Sequence, residues 1–306
     1  MDGASGALSE KNLFYKEPGV LRAPWRIGIF IIAALGALAM CGIVLTPIFS
    51  SLFAVLGAPK ETADSWVTAT ALLIATMFMV RFVDRRDWSE VWLDRDASRS
   101  GILATGFAVG ALSIAIPTSL MIFGGWLAND GGDSGNWFIA MLQVSLLLIP
   151  AALLEELLAR GYILSVLKDA WGWKWAIVAT SIAFGLLHFK NPGVTVESLG
   201  YVTLAGVFLA GVLYVTKSLY AAWMAHLAWN WTMAAVLHVG VSGIQMASPS
   251  YHYVDAGPDW ATGGPWGPEG GLPAGLGMFA GLVFLYMSKM RREAKAEASR
   301  ESHFNS

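Results

Sequence analysis

The chain has 306 residues, of which 56% are hydrophobic and only 14% are charged, and its mean hydropathy is +0.55. Soluble domains carry about a quarter charged residues, so this composition excludes an ordinary water-soluble domain and predicts a membrane protein. The net charge of -2 provides no basic field, and we expect no nucleic-acid partner. The single cysteine, Cys41, can form neither an intramolecular disulfide nor a CxxC metal site.

Several apolar segments approach the roughly 20 residues that a helix needs to cross a bilayer. They predict an all-α, polytopic membrane bundle of about eight transmembrane helices, at residues 27–55, 66–82, 101–126, 137–168, 173–189, 198–216, 219–239 and 271–288. Tryptophans near the ends of these segments favour the same assignment, because indole rings prefer the headgroup layer. The first segment is too long for a signal-peptide core and predicts a retained span.

The predicted organisation is a cytosolic N-terminal segment at 1–26, a transmembrane bundle at 27–289 and a cytosolic tail at 290–306. The sequence shows neither an internal repeat nor a second soluble domain. Between the last two spans, residues 240–270 form a Gly- and Pro-rich segment that is long enough to lie over the mouth of a cavity.

The distribution of basic residues predicts the orientation of the bundle. With the N-terminus inside, only Lys60 and Lys190 of the 20 Lys and Arg residues fall outside, so 18 lie on the inner side or in the inner half. Cytoplasmic segments of membrane proteins carry the excess of Lys and Arg. We therefore expect both termini to be cytoplasmic.

The fourth predicted span contains charged residues in the run Glu155-Glu156-Leu-Leu-Ala-Arg160. A charge at bilayer depth costs on the order of 3 kcal/mol, so it is retained where it is paired or used. Glu156 and Arg160 have the i, i+4 spacing and order of a favourable ion pair. Successive helical residues point about 100° apart, so Glu155 faces elsewhere and is free to act as a base.

Two further pairs of polar or aromatic residues lie one helical turn apart in apolar segments. Phe184 precedes His188 in the fifth span, and His226 precedes Asn230 in the seventh. A single histidine in a membrane helix usually makes an interhelical hydrogen bond. Two histidines together with the unpaired Glu155 favour a shared site instead.

The depths of these residues are compatible with such a site. Helix rise places Glu155, His188 and His226 near mid-membrane or somewhat toward the outer side. The neighbouring Trp229 and Trp231 are predicted to serve packing.

Glu-Glu-x-x-x-Arg, Phe-x-x-x-His and His-x-x-x-Asn, in this order and in separate apolar segments, span residues 155–230. The ordered set resembles the CPBP family of intramembrane proteases, also called the CAAX protease and bacteriocin-processing or Abi family. The run Leu-Leu-His-Phe-Lys-Asn-Pro-Gly around His188 is also similar to bacterial members. The first three predicted helices carry no motif.

The resemblance implies an intramembrane endopeptidase that acts on a peptide or protein substrate within or at the bilayer. It implies that Glu155 and His188 activate a water and that His226 and Asn230 stabilise the oxyanion. A carboxylate in a low-dielectric site is an effective base near neutral pH, which agrees with this role. Three further residues are expected to support these groups: Glu156, Arg160 and Phe184.

The resemblance leaves a metal open. The family is commonly labelled metalloprotease, and Glu155, His188 and His226 are ligands of the kind that hold Zn²⁺ with one open position. No HExxH motif is present, however, and the three ligands would come from three helices.

Two other functions stay open at this stage. A non-catalytic membrane scaffold or bacteriocin-immunity factor would need no hydrolytic site, and a proton-coupled transporter would use Glu155 in a relay. The absence of repeats argues against the transporter. The similarity to bacterial members also implies a location in the bacterial inner (plasma) membrane.

Overall fold

The computed structural model describes residues 13–17 and 19–304. Residues 1–12 and 18 of the predicted N-terminal segment, and residues 305–306 of the predicted tail, lie outside the described residues. The α-helices are α1 (Ala23–Val55), α2 (Glu61–Phe78), α3 (Ser100–Phe123), α4 (Trp137–Arg160), α5 (Tyr162–Leu187), α6 (Val196–Thr216), α7 (Leu219–Trp231), α8 (Asp259–Thr262) and α9 (Leu272–Phe304).

Shorter elements continue or connect these helices. The π-helical turns Met79–Val83 and Thr232–Leu237 extend α2 and α7. The 3-10 turns are Trp88–Val91, Gly264–Trp266 and Pro268–Gly270. The strands form two antiparallel pairs, β1 (Tyr15–Glu17) with β2 (Val20–Leu21) and β3 (Leu127–Asn129) with β4 (Tyr253–Asp255).

The fold is the predicted helical membrane bundle. In the part of the chain that the structure describes, 6 segments are long and apolar enough to cross a membrane: Ala23–Val55, Glu61–Val83, Ser100–Phe123, Trp137–Leu187, Val196–Thr216 and Leu272–Ser299. The fourth of these contains both α4 and α5. When α4 and α5 are counted separately and α7 is included with its π-helical turn, the described part of the chain has the predicted eight helices.

Two glycines interrupt the helices of this region, and the first of them differs from the prediction. The fourth span was expected to continue to residue 168, but α4 ends at Arg160 because Gly161 leaves the helical conformation, at φ −80° and ψ −123°. Gly172 then interrupts α5 at φ 78° and ψ 168°. Glycine adopts a positive φ easily, which explains the break at this position. This second break coincides with the predicted gap between the two spans.

Helix α7 lies close to α3 because two glycines remove side-chain bulk between them. A Cβ atom on Gly106 would overlap the backbone of Ala221, and one on Gly110 would overlap the backbone of Ala225. Small residues permit such close approach of membrane helices. This contact fixes α7 along the turn that carries His226.

Candidate active site

Helix α4 presents Glu155 in its last two turns. The helix begins at an Asn136 cap, whose side chain accepts hydrogen bonds from the backbone N–H groups of Phe138 and Ile139. Pro150 lies inside the helix and cannot donate to the carbonyl of Leu146. The indole Nε1 of Trp66 on α2 donates to that carbonyl at 2.9 Å, so the proline is accommodated by a neighbouring helix.

His188 lies directly after the last residue of α5. Its Nδ1 is 2.9 Å from the backbone oxygen of Phe184, one turn earlier. The Phe184 ring packs against the imidazole with centroids 5.0 Å apart. Because a carbonyl oxygen only accepts, His188 donates through Nδ1, and its Nε2 is directed elsewhere.

His226 lies in the middle of α7, which begins at a Ser218 cap. Its Nδ1 lies 2.9 Å from Oε1 of Glu156 on α4. Glu156 therefore binds His226 as well as Arg160, a second contact that the helical spacing did not predict.

The three predicted groups meet at one carboxylate oxygen. Oε2 of Glu155 lies 3.9 Å from Nε2 of His188 and 3.8 Å from Nε2 of His226. The Glu155 side chain is 29% exposed, whereas those of His188 and His226 are 13% and 9% exposed. The Glu155 carboxylate thus faces the two imidazoles across gaps that one small molecule could bridge.

Glu156 and Arg160 form the ion pair that their spacing predicts, at 2.9 Å, and both side chains are fully buried. Arg160 also donates to the backbone oxygen of Gly206 at 3.0 Å, and its guanidinium lies 4.1 Å from the Phe184 ring centroid. A buried charge without such partners is strongly destabilising. The pair therefore anchors α4 against α5 and α6 directly behind Glu155.

A cavity of about 500 Å³ contains the site. Glu155, His188, His226 and Phe184 line it, and Asn230 joins them from α7. All four predicted catalytic residues therefore border one cavity, with Phe184 beside them, whereas the supporting Glu156 and Arg160 are buried behind its wall.

Glu155 lies closer to the end of its helix than expected. At about 1.5 Å per residue, Glu155 is about 27 Å from the start of α4 but only about 8 Å from its end at Arg160. His226 is about 10 Å from the start of α7 at Leu219. The expected depth, near mid-membrane or outward, assumed that the fourth helix continued to Lys168.

A second polar cluster borders the same cavity, and it was not predicted as part of the site. Glu269 accepts from Trp229 Nε1 at 3.0 Å, from the Ser242 backbone N–H at 2.7 Å and from the Ser242 hydroxyl at 2.6 Å. Asn191 donates to the Ser242 backbone oxygen at 3.0 Å. Trp229 thus does more than pack. The one feature of the sequence that could have indicated this cluster was the carboxylate of Glu269 in a Gly- and Pro-rich segment.

The three facing groups have the chemistry of zinc ligands but a wider spacing. In a tetrahedral site with bonds of about 2.0–2.2 Å, neighbouring donor atoms lie about 3.3–3.6 Å apart. The distances from Glu155 to the two imidazoles are 3.9 and 3.8 Å. Within the described residues, no group of three or more His, Cys, Asp or Glu is arranged to hold a metal ion.

Comparison with known proteins identifies the segment that carries the site. Residues 135–232 match the family model described as Type II CAAX prenyl endopeptidase Rce1-like. No curated protein and no solved structure matches the chain. The matched residues contain all three motifs, which confirms the family resemblance and supports a membrane endopeptidase in general. Residues 135–232 are thus similar to the Rce1-like type II CAAX prenyl endopeptidases, over the part of the chain that carries the site.

Proposed function

We propose that the protein is an intramembrane endopeptidase that hydrolyses a peptide bond with a water held between Glu155 and His188. The observation that carries the proposal is the position of Glu155 Oε2, which lies 3.9 and 3.8 Å from the Nε2 atoms of His188 and His226. These distances are too long for direct hydrogen bonds and fit one bridging molecule.

The hydrogen-bond partners of His188 support its part in this step. Its Nδ1 donates to the Phe184 carbonyl, so Nε2 of the neutral ring carries a lone pair. A lone pair and a carboxylate oxygen that face each other both require a donor. A water between them would donate one hydrogen to each and would be oriented for attack.

His226 would act from the other side of the reacting carbonyl. Its Nδ1–H is directed at Glu156, so donation through Nε2 requires the imidazolium form. The negative Glu156 would offset that charge. Together with the side-chain amide of Asn230, His226 would stabilise the oxyanion that develops on the substrate carbonyl.

In the proposed reaction, water is the only co-reactant and Glu155 carries the transferred proton. Glu155 takes one proton as the water oxygen bonds to the carbonyl carbon, and the carbonyl oxygen becomes an oxyanion facing His226. Collapse of this tetrahedral intermediate breaks the C–N bond, and the proton on Glu155 passes to the leaving amine. The products are a carboxyl and an amino terminus.

The substrate class follows from the cavity and from the family. A cavity bordered by membrane helices would accept a peptide or protein segment within or at the bilayer. The matched family is described as a prenyl endopeptidase. We propose that this chain cleaves a peptide bond, and recognition of a prenyl group is stated of that family only.

Substrate trapping tests the proposal. The Glu155→Gln variant, expressed in its native membrane with a photocrosslinker in the cavity, should retain uncleaved polypeptides that the wild type releases as fragments. A matched variant, His252→Gln, changes a histidine outside the cavity and should cleave normally. If the Glu155→Gln variant retains the full biological effect of the wild type, the protein is a scaffold or immunity factor instead.

A further inference from the structure

One face of the bundle is built from the segments that lead into the cavity. Gln143 on α4 donates to the backbone oxygen of Leu56 at 3.0 Å, and β3 pairs with β4. Asn191 donates to Ser242. We call this side the mouth face, and it comprises residues 56–60, 124–136, 188–195 and 238–271.

The opposite side is held together by charged residues. Arg26 binds Asp84 and Asp169, and Arg86 donates to Asp169 at 2.8 Å. The Ser218 cap that begins α7 donates to the Ala97 backbone at 2.6 Å, which brings the start of α7 to the same side. We call this side the basic face, and it comprises Arg26 together with residues 79–99, 162–174, 217–218 and 289–295.

The rim of the cavity lies on the mouth face. The exposed residues that line the cavity come from the α1–α2 connection with the first residue of α2, and from the segment after α7: Pro59, Glu61, Ile244, Gln245 and Ala247. A molecule that reaches Glu155 from this side passes the Glu269 cluster and the first turns of α4.

Toward the basic face, the cavity is bounded by a layer of fully buried side chains. Leu157 and Arg160 on α4, Leu213 on α6 and Leu219 on α7 all have no exposed surface. Protein interiors are packed too densely to pass a peptide without rearrangement. Access from the basic face is therefore blocked directly beneath the site.

The charges of the two faces differ. Of the Lys and Arg residues that the structure describes, only Lys60 and Lys190 lie in mouth-face segments, and Arg160 is buried within the bundle. By the positive-inside rule, the basic face is then the cytoplasmic one and the mouth face is the extracytoplasmic one.

The lining itself selects by charge. The described residues that line the cavity include three carboxylates, those of Glu61, Glu155 and Glu269, and no Lys or Arg. Such a lining disfavours an anionic group and favours a neutral or cationic one.

We infer that the site receives its substrate from the extracytoplasmic side, as a neutral or cationic polypeptide segment and not as the free carboxyl end of a cytoplasmic protein. The inference rests on the proposed function for the cleavage, whereas the side of access follows from the cavity and the charges alone.

Cysteine accessibility tests the side of access independently of cleavage. In a Cys41→Ala background, Ala151→Cys places a thiol on the cavity wall, and Ala152→Cys places one next to it in the buried core. A small membrane-impermeant thiosulfonate added to intact cells should modify Ala151→Cys at least about tenfold faster than Ala152→Cys.

Two further thiols report the faces themselves. Ala247→Cys on the rim should react in intact cells, whereas Ala294→Cys on the exposed end of α9 should react only after permeabilisation. Reaction of Ala151→Cys only after permeabilisation, or the reverse pattern at the two reporters, would overturn the side of access.

Charge selection is tested with quenched peptides that share one apolar core and carry either flanking lysines or flanking glutamates. Wild-type protein in liposomes, with the mouth face outward, should cleave the lysine series with at least about tenfold higher kcat/KM. Preference for the glutamate series overturns the charge argument. Absence of any cleavage refutes the proposed function, while the thiol reactions still decide the side.

Discussion

His226 is bound through Nδ1 to the carboxylate of Glu156 at 2.9 Å, and this contact turns its other ring nitrogen toward Glu155. The same Glu156 is paired with the fully buried Arg160. Hydrogen bonding of one ring nitrogen fixes the orientation and the proton arrangement of an imidazole. The two adjacent carboxylates therefore have different tasks, because Glu156 holds the site together and Glu155 faces the cavity.

Substitution of the two glutamates by glutamine should separate these tasks. Glu156→Gln leaves the buried charge of Arg160 without its counterion and should lower the free energy of unfolding by about 3–5 kcal/mol. Glu155→Gln alters a partly exposed group for which the described residues provide no direct hydrogen bond, and it should change the free energy of unfolding by less than about 1 kcal/mol. Denaturation in the same detergent micelles measures the free energy of unfolding of both variants. Equal decreases in the two variants would contradict the division of roles.

His188 should be required for cleavage but not for folding. Its replacement by alanine removes the group that positions the water with Glu155, and general acid–base partners contribute about 10²–10⁴-fold to rate. The kcat of His188→Ala should therefore fall by about that factor, while the variant still folds. His252→Ala is the matched control because His252 lies outside the cavity, and it should keep the wild-type rate. A fall of less than tenfold in His188→Ala would remove His188 from the mechanism.

Trp229 and Glu269 should be coupled. The indole N–H donates to the carboxylate at 3.0 Å, and Glu269 in turn holds Ser242 at the cavity wall. Residues in one hydrogen-bond network show interaction energies of about 0.5–3 kcal/mol in double-mutant cycles. A cycle of Trp229→Phe and Glu269→Gln on the free energy of unfolding should fall in this range.

The same two variants should affect catalysis mainly through substrate binding. They loosen the wall that Glu269 and Ser242 form but leave Glu155 and His188 in place, so KM should rise several-fold while kcat changes less. Additive effects on unfolding together with an unchanged KM would show that the cluster plays no part in shaping the cavity.

Chelators should leave activity intact. The spacing of 3.8 and 3.9 Å around Glu155 is wider than a zinc site requires, and the proposed reaction uses water alone. Cleavage by the purified protein after dialysis against 1,10-phenanthroline should proceed at the untreated rate. Loss of cleavage that returns on addition of Zn²⁺ would identify a metal-dependent enzyme.

The helical architecture and the convergence of the motifs were predictable from the sequence. Apolar runs long enough to span a bilayer are strong signals, and charged residues within them are rare enough to attract attention. The relation of Glu155, His188 and His226 could be inferred because few other polar groups occur in these segments. The i, i+4 pair of Glu156 and Arg160 follows from local geometry alone.

What the sequence could not predict depends on contacts between distant segments. The break at Gly161 lies within a run that reads as one continuous helix, so the predicted length of α4 was wrong. The contact between Glu156 and His226 joins residues 70 positions apart. Glu269 also meets Trp229 only after folding, and helical periodicity cannot show either relation.

The rate of peptide-bond cleavage by the Glu155→Gln variant tests the central claim most directly. It should be measured in liposomes under single-turnover conditions, beside the wild-type protein. The thermal midpoints of the two proteins should first be shown to be equal. The account predicts a fall of at least about 10²-fold, because the amide cannot take a proton from the water. Cleavage by Glu155→Gln at the wild-type rate would contradict it.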